Sequence, residues 1–320
     1  MRRLLFLFSM LAIVSCSMDR VVHSFSIVTH NAYCFFDSYE CGEEFDGFKA
    51  RDGYDAECYE KRISNYAKFI LNNMRDADVI LFQEVENSSV LEDLLEAGLK
   101  RKGYLYYGSA AVEDGVLSTG FISKEKPNEV LFHGLSGSRL IMELVFDIDG
   151  ERIHILNIHG SSRLSEANTN KRMEEFSLLR SILSSNSGEL SIVMGDFNVD
   201  LKTGEESIAL KGTVESLNSP ISISGDGGEL RDGIYYCPWV DNMESLGKGT
   251  YFYSGAWSAL DGTLLTEEAF DWQGAEYESS RVIEAYESMD SFGKPMPFSP
   301  AFQTGFSDHL PFQVTIRFKN

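Results

Sequence analysis

A chain of 320 residues with 43% hydrophobic side chains holds enough apolar material for a full core in one large domain or two small ones, which excludes a chain too polar to fold. Its 28 Lys and Arg against 49 Asp and Glu leave a formal charge of −21. Such a field disfavours fast electrostatic capture of long polyanions, although a cleft carrying a divalent cation inverts the sign locally.

Residues 1–15 begin with Arg2-Arg3 and an apolar run, Leu4 to Val14, that is too short to span a bilayer and fits a signal-peptide core. Ile13-Val14-Ser15-Cys16 resembles the bacterial lipobox. That resemblance implies cleavage before Cys16, a lipidated N-terminus, and an exported protein anchored to a membrane of the cell envelope. The other reading is an ordinary signal peptide with an incidental cysteine. Cleavage removes Arg2 and Arg3 and moves the charge to −23 (−21 − 2). Residues 16–24 form a tether of roughly 25–30 Å at full stretch, and 25–320 form the domain.

Phe25–Thr29 reads as a strand ending at His30-Asn31, followed by an acidic, aromatic loop, Tyr33–Asp55, expected at the surface and rim. Tyr59, Ile63, Tyr66, Ile70 and Met74 recur at helical spacing, so about Asp55 to Asn73 is an amphipathic helix. Asp78–Phe82 is a buried strand delivering Gln83-Glu84. Asn87–Lys102 is a second helix with Ser89-x-x-Glu92 as a capping box and Gly103 as its stop. Strands follow near Tyr104–Tyr107, Gly120–Ser123, Arg139–Phe146 and Arg152–Ile158, then a helix near Ser165–Ser185. Leu190–Met194 is a core strand that stops at Gly195. Beyond Asn198 a Gly- and Ser-rich excursion runs to about Gly228. Thr250–Ser254 and Leu260–Leu265 are strands, Asp271–Pro300 a loop, and Pro311–Phe318 the last strand. With no linker and no repeat, this order predicts one α/β domain of two sheets packed face to face with helices outside. Cys34, Cys41, Cys58 and Cys237 lack zinc-site spacing, and as possible disulfides they allow three connectivities that remain open.

The chemistry gathers at strand ends. Asp196 and Asn198 in GDFN share one side of an extended chain at a strand's carboxyl end, where ligands of α/β sheets bind. The spacing excludes an EF-hand, because Leu201 and Ser207 stand where Gly and Glu are required. Gln83-Glu84 alone is an ordinary solvated strand end, yet it also supplies an oxygen ligand for a hard cation. His159 in ILNIHGSSR and His309 in SDHLP carry imidazoles suited to proton transfer. Asp308 points away from His309 on an extended chain, so it is a cation ligand, and Asp261 is the candidate to orient His309.

The ordered set Asn31, Gln83-Glu84, Asn157-x-His159, Gly195-Asp196-Phe197-Asn198, Asp261 and Ser307-Asp308-His309 resembles the endonuclease/exonuclease/phosphatase superfamily, over about Ser26 to Ile316. The resemblance implies a deoxyribonuclease-I-like four-layer α/β sandwich, two facing mixed β-sheets with helices outside. It implies Mg²⁺ or Mn²⁺ held by Glu84 with Asn31 and Asp308. Asp196 would orient or deprotonate water, Asn198 hold a phosphate oxygen, His309 with Asp261 contact the phosphate, and His159 act near the leaving group. One departure stands out. Deoxyribonuclease-like relatives orient the first histidine with a glutamate on an earlier strand, where this chain has Ser118-Thr119-Gly120 and, nearby, only Glu113 and Asp114.

The expectation is therefore a metal-dependent phosphoester hydrolase, foremost a phosphodiesterase of nuclease type acting as a monomer. Alternatives are a phospholipid phosphodiesterase acting on a head group, a phosphatase, and a surface binding protein on an inactive scaffold. For a nuclease the basic track would come from Lys100-Arg101-Lys102, Arg139, Arg163 and Lys171-Arg172. For a lipid substrate, exposed Tyr235-Tyr236, Pro238-Trp239 or Met296-Pro297-Phe298 would serve, although packing in the core is their commoner use.

Overall fold

The computed structural model describes residues 23–110, 116–135, 139–163, 165–202 and 221–318. The expected signal peptide, Cys16 and most of the tether, together with Glu113, Asp114 and 203–220, lie outside the described residues. The chain first lays down β1 (Ser24–Phe35), α1 (Ala56–Asn73), β2 (Val79–Val85), α2 (Ser88–Glu96), β3 (Tyr106–Ser109) and β4 (Ser118–Ser123). Next come β5 (Glu129–His133), β6 (Ile141–Ile148), β7 (Glu151–His159), α3 (Glu166–Ser185) and β8 (Leu190–Asp196). The last third supplies β9 (Ser222–Ser224), β10 (Ile234–Tyr236), β11 (Tyr251–Tyr253), β12 (Ala256–Ser258), β13 (Asp261–Leu265), β14 (Ala275–Val282) and β15 (Phe312–Phe318).

Among the described residues one sheet has the order β14-β15-β1-β2-β4-β3 and the other β5-β6-β7-β8-β13-β10-β9, with β11–β12 as a separate hairpin. Both are mixed, since β1–β2 and β7–β8 run parallel within otherwise largely antiparallel ladders. The period-2 alternation of buried strands decides the layering. Phe25, Ile27, Val79 and Leu81 point between the sheets, whereas Val28, Ile80 and Phe82 point outward under α1 and α2. On the far side, Phe176, Leu179, Ile182 and Leu183 of α3 cover the second sheet. Two mixed sheets face each other with helices outside, as the element order implies.

Local chemistry sets the helix limits. Asp55 caps α1 by accepting from the backbone N–H of Cys58, and Ser165 caps α3 by accepting from Asn168. The second helix differs from expectation. Asn87, not Ser89, is its N-cap, and Gly98 at φ 137° ends it, leaving Leu99–Lys102 as a separate 3-10 turn.

Among the described residues five strands went unread in the sequence: the three-residue β9, β10 and β12, the short exposed edge strand β5, and β14, which alternates polar residues along the opposite sheet's edge within the stretch expected to be a loop. The larger correction concerns Tyr33–Asp55. Phe35, Phe36, Phe48 and Tyr54 are buried in a second hydrophobic cluster with α1 and Phe298. Tyr235, Tyr236, Trp239 and Phe298 are core residues too. All four described cysteines are free thiols.

Candidate active site

Strand register builds the site. In the second sheet His159 of β7, Asp196 of β8 and Asp261 of β13 are direct neighbours across three adjacent strands. Gly195 makes this close approach possible. It has φ 143°, and a Cβ there would meet the carbonyl oxygen of Ile158 at 2.0 Å. The first sheet contributes Asn31 from β1 and Glu84 from β2, and the segment before β15 contributes Asp308 and His309. Glu84, His159, Asp196, Asp261, Asp308 and His309 converge at this end of the facing sheets.

Asn31 Nδ2 bridges the sheets by donating to Glu84 Oε1 and Asp196 Oδ2, both at 3.1 Å. Its Oδ1 accepts from the backbone N–H of Tyr33 at 3.0 Å, so Asn31 here presents an N–H to the carboxylates. His159 Nε2 stands 3.8 Å from Glu84 Oε1 and 3.7 Å from Asp196 Oδ2. His309 Nδ1 donates to Asp261 Oδ2 at 2.7 Å, the orienting pair expected from the sequence. Its Nε2 lies 3.9 Å from both Asp196 Oδ2 and Asp308 Oδ1. Ser307 Oγ donates to the carbonyl of Asn31, and His30 Nε2 donates to that of His309, pinning this segment to β1. Since Nε2 of His30 donates, its Nδ1 accepts from the Tyr66 hydroxyl. Burial lowers the His30 pKa to about 4, which keeps this strut neutral.

Asn198 departs from the extended geometry. It sits at φ 52°, donates its backbone N–H to Asp196 Oδ1, and spends one side-chain N–H on the carbonyl of Gly160. Asn157 is structural: its Oδ1 accepts from Gln83 Nε2 at 2.6 Å and its Nδ2 donates to the carbonyls of Phe82 and Gly120.

The two imidazoles differ in charge. Burial lowers the His159 pKa, and the charges of Arg139 and His309 lower it further, so this ring is neutral. Burial opposes protonation of His309 as well, but Asp261, Asp308 and Asp196 outweigh it and hold its pKa well above the ordinary value. Burial pushes Asp196 upward, with His309 acting against it, and burial also raises Asp308. Glu84, Asp196 and Asp308 line one cleft, where the charge of Glu84 helps to raise Asp308; a divalent cation relieves that repulsion, and hard oxygen donors suit Mg²⁺ or Mn²⁺. Asp196, Asp261 and His309 also bring ligand atoms within 4.8 Å of one another. An ion there would compete with the proton on His309 and its bond to Asp261, so the acidic side is the better fit.

A cleft of about 720 Å³ opens over these groups. Arg139, Arg163 and Arg172 line it, while Lys171 and Lys100-Arg101-Lys102 do not. Arg139 donates to the carbonyl of Gly160, and Arg172 to those of Ser161 and Ser162, so both hold the loop after His159. On another wall the Tyr251 ring lies 4.7 Å from that of His309, and Tyr253, which is 70% exposed, stacks on Tyr251. Sequence reasoning did not single out these tyrosines, although their i, i+2 spacing in TYFYS is the signal that places them on one face.

Residues 26–318 match the profile of the Endonuclease/Exonuclease/phosphatase family. The chain belongs to the endonuclease/exonuclease/phosphatase family. Solved structures of similar fold include truncated TDP2 from Caenorhabditis elegans, at 16% identity and TM-score 0.54 over 92% of this chain and 98% of that one. Beta toxin from Staphylococcus aureus matches at 16% identity and TM-score 0.53 over 91% and 99%. An AP endonuclease from Archaeoglobus fulgidus matches at 14% and 0.50 over 91% and 98%. No curated protein matches the sequence. In this endonuclease/exonuclease/phosphatase-family chain, Thr119 stands on β4 with Oγ1 buried and with no hydrogen-bond partner among the described residues. Among the described residues no carboxylate lies within hydrogen-bonding distance of His159, whose two nearest, Glu84 and Asp196, are 3.7–3.8 Å away.

Proposed function

We propose that this chain is a Mg²⁺- or Mn²⁺-dependent phosphoester hydrolase, and specifically a phosphodiesterase of nuclease type. One observation carries the reading: a buried Asp196 flanked by a neutral His159 and a charged His309, beside Glu84 and Asp308. Family members generally hydrolyse phosphoesters, and an AP endonuclease shares the fold. Glu84 and Asp308, with Asp196 beside them, would hold the cation, which when bound neutralises charge on the phosphate oxygens.

The chain's own groups account for the rest. Asp196, held by Asn31 Nδ2 and the Asn198 backbone N–H, orients water and takes its proton. The imidazolium of His309, fixed by Asp261, offers Nε2–H to a phosphate oxygen as negative charge builds. His159, neutral and close to both carboxylates, faces the same cleft as a further proton-transfer group. Arg139 and Tyr253 flank the path of a strand, offering a cation and a ring on which a base stacks.

A second reading is hydrolysis of a phospholipid head group. It is favoured by exposed Tyr253 and Phe292 with Lys294 over the Phe252 ring, an aromatic and basic rim suited to a lipid surface. Export and lipid anchoring at Cys16 rest on the lipobox-like sequence, and the proposed acting species is a monomer.

The test is hydrolysis of plasmid DNA, RNA, sphingomyelin vesicles and inositol phosphates, with Mg²⁺ or EDTA, beside a Glu84→Ala/His309→Ala double variant. Metal-dependent turnover of DNA or RNA that the variant lacks is the expected result. If all substrates stay intact and calorimetry finds no Mg²⁺ or Mn²⁺ binding, the enzyme reading falls and a binding scaffold replaces it.

A further inference from the structure

Arg62 lies on α1, outside the cleft, and is only 2% exposed. No ion pair with a carboxylate is found for it among the described residues. Its guanidinium is sandwiched between the rings of Phe35 and Phe298, at 4.2 and 4.3 Å from their centroids. Nη1 donates to the carbonyl of Cys34 at 2.9 Å, and Nη2 to those of Ala32 and Tyr33 at 3.1 and 2.6 Å. Burying an arginine this way is costly, and three successive carbonyls turned toward one cation is not a conformation a regular β-strand offers; β1 turns aside here in a bulge between Asn31 and Phe35.

The turn that Arg62 grips directly follows Asn31. Tyr33 and Cys34 sit at φ 54° and 50°, in the left-handed region that L residues seldom adopt. The turn aims both the backbone N–H and the thiol of Cys34 at one atom, Glu84 Oε2, at 3.0 and 3.4 Å. Glu84 is itself left-handed, at φ 60°. Two donors on Oε2 leave Oε1 facing Asn31 and the cleft. A planar fork can bridge three carbonyls, whereas a lysine ammonium on a flexible stem cannot hold them in one plane.

We propose that Arg62 is the positioning residue for the Glu84 carboxylate, acting through the Ala32–Cys34 turn and the two Cys34 donors. Its role is to hold Glu84 so that one oxygen, Oε1, is presented to the cation. The inference rests on the metal-hydrolase reading above and goes beyond it, since Arg62 touches neither metal nor substrate.

The experiment is Mn²⁺ titration of the full domain, followed by calorimetry and by the electron-spin resonance of free Mn²⁺. Wild type is compared with Arg62→Lys and with Ile70→Val, a control in the same helix, and circular dichroism checks folding. Arg62→Lys should bind Mn²⁺ about 10–100-fold more weakly while folded, as loss of a partner that orients a ligand does, and Ile70→Val should bind as wild type. Because a lysine variant that failed to fold would be silent, the turn is also altered at its other end. Cys34→Ala should weaken binding several-fold and Cys34→Ser should restore it. Wild-type affinity in folded Arg62→Lys, or in Cys34→Ala, overturns the proposal alone. Absence of Mn²⁺ binding by wild type overturns the metal reading and the proposal with it.

Discussion

Asn157→Leu tests whether the facing sheets are tied together beneath the site. The amide of Asn157 is fully buried and makes three hydrogen bonds, one from Gln83 Nε2 and two to the carbonyls of Phe82 and Gly120. Those carbonyls lie where the β2–β4 ladder begins to shift register. Leucine keeps the bulk and removes every bond. At about 1 kcal/mol net per bond the loss is about 3 kcal/mol, and leaving buried carbonyls unpaired raises it to about 3–5 kcal/mol. Thermal melting should move down by on the order of 10 °C, with urea denaturation giving the free energy directly. Asn157→Asp should be at least as damaging, because it keeps the acceptor for Gln83 but turns a carboxylate oxygen toward the two carbonyls. A loss below about 1 kcal/mol for leucine, or aspartate milder than leucine, would refute the inter-sheet tie.

Asp261→Asn should lower turnover by about 10²–10⁴-fold while leaving the fold intact by circular dichroism, since the His309 imidazolium loses its buried carboxylate partner. Tyr253→Ala should raise KM several-fold and leave kcat nearly unchanged, because this exposed ring reaches substrate but not the reacting groups. A pH dependence is expected away from the cleft, where Glu143 is buried between His133 and His154, and His154 also meets Glu189. Burial opposes the His154 charge, but bonds to Glu143 and Glu189 raise its pKa, so its contribution is full below about pH 6.5 and fades as pH rises through the raised value. Burial likewise opposes the Glu143 charge, while bonds from the two histidines and Asn186 bring its pKa to about 2. Its contribution is present above about pH 4.5 and fades toward pH 2. Melting temperature should plateau between those limits and fall on either side, and Glu143→Gln should flatten the profile.

Much of the candidate site was legible because its side chains sit at strand ends, where a hydrophobic run stops and polar residues begin. Asp261 could be paired with His309 because an imidazole needs a third group to orient it, and the two do meet. Asn198 was misread as extended because a left-handed turn after a strand leaves no period. Arg62 was invisible for a related reason. It lies on the buried face of α1 beside Tyr59, Ile63 and Tyr66, and pattern reading assigns a charged residue there to solvent. The Tyr33–Asp55 stretch looked like rim because its acidic residues masked the aromatics that close around that arginine. β14 escaped for lack of apolar periodicity, since an edge strand is held by its neighbour's backbone and need not bury alternate side chains.

The position of β15 has a consequence for the order in which the molecule is completed. The last described strand is not at the fringe of its sheet but between β14 and β1, and it pairs with the first strand across nearly the whole sequence. The second sheet, by contrast, is drawn from a continuous middle stretch. During synthesis that middle sheet can assemble early, while the other stays open until the residues of β15 emerge. Asp308 and His309 arrive with them. A chain cut before Asp308 therefore lacks an internal strand of that layer and two of the side chains that line the cleft.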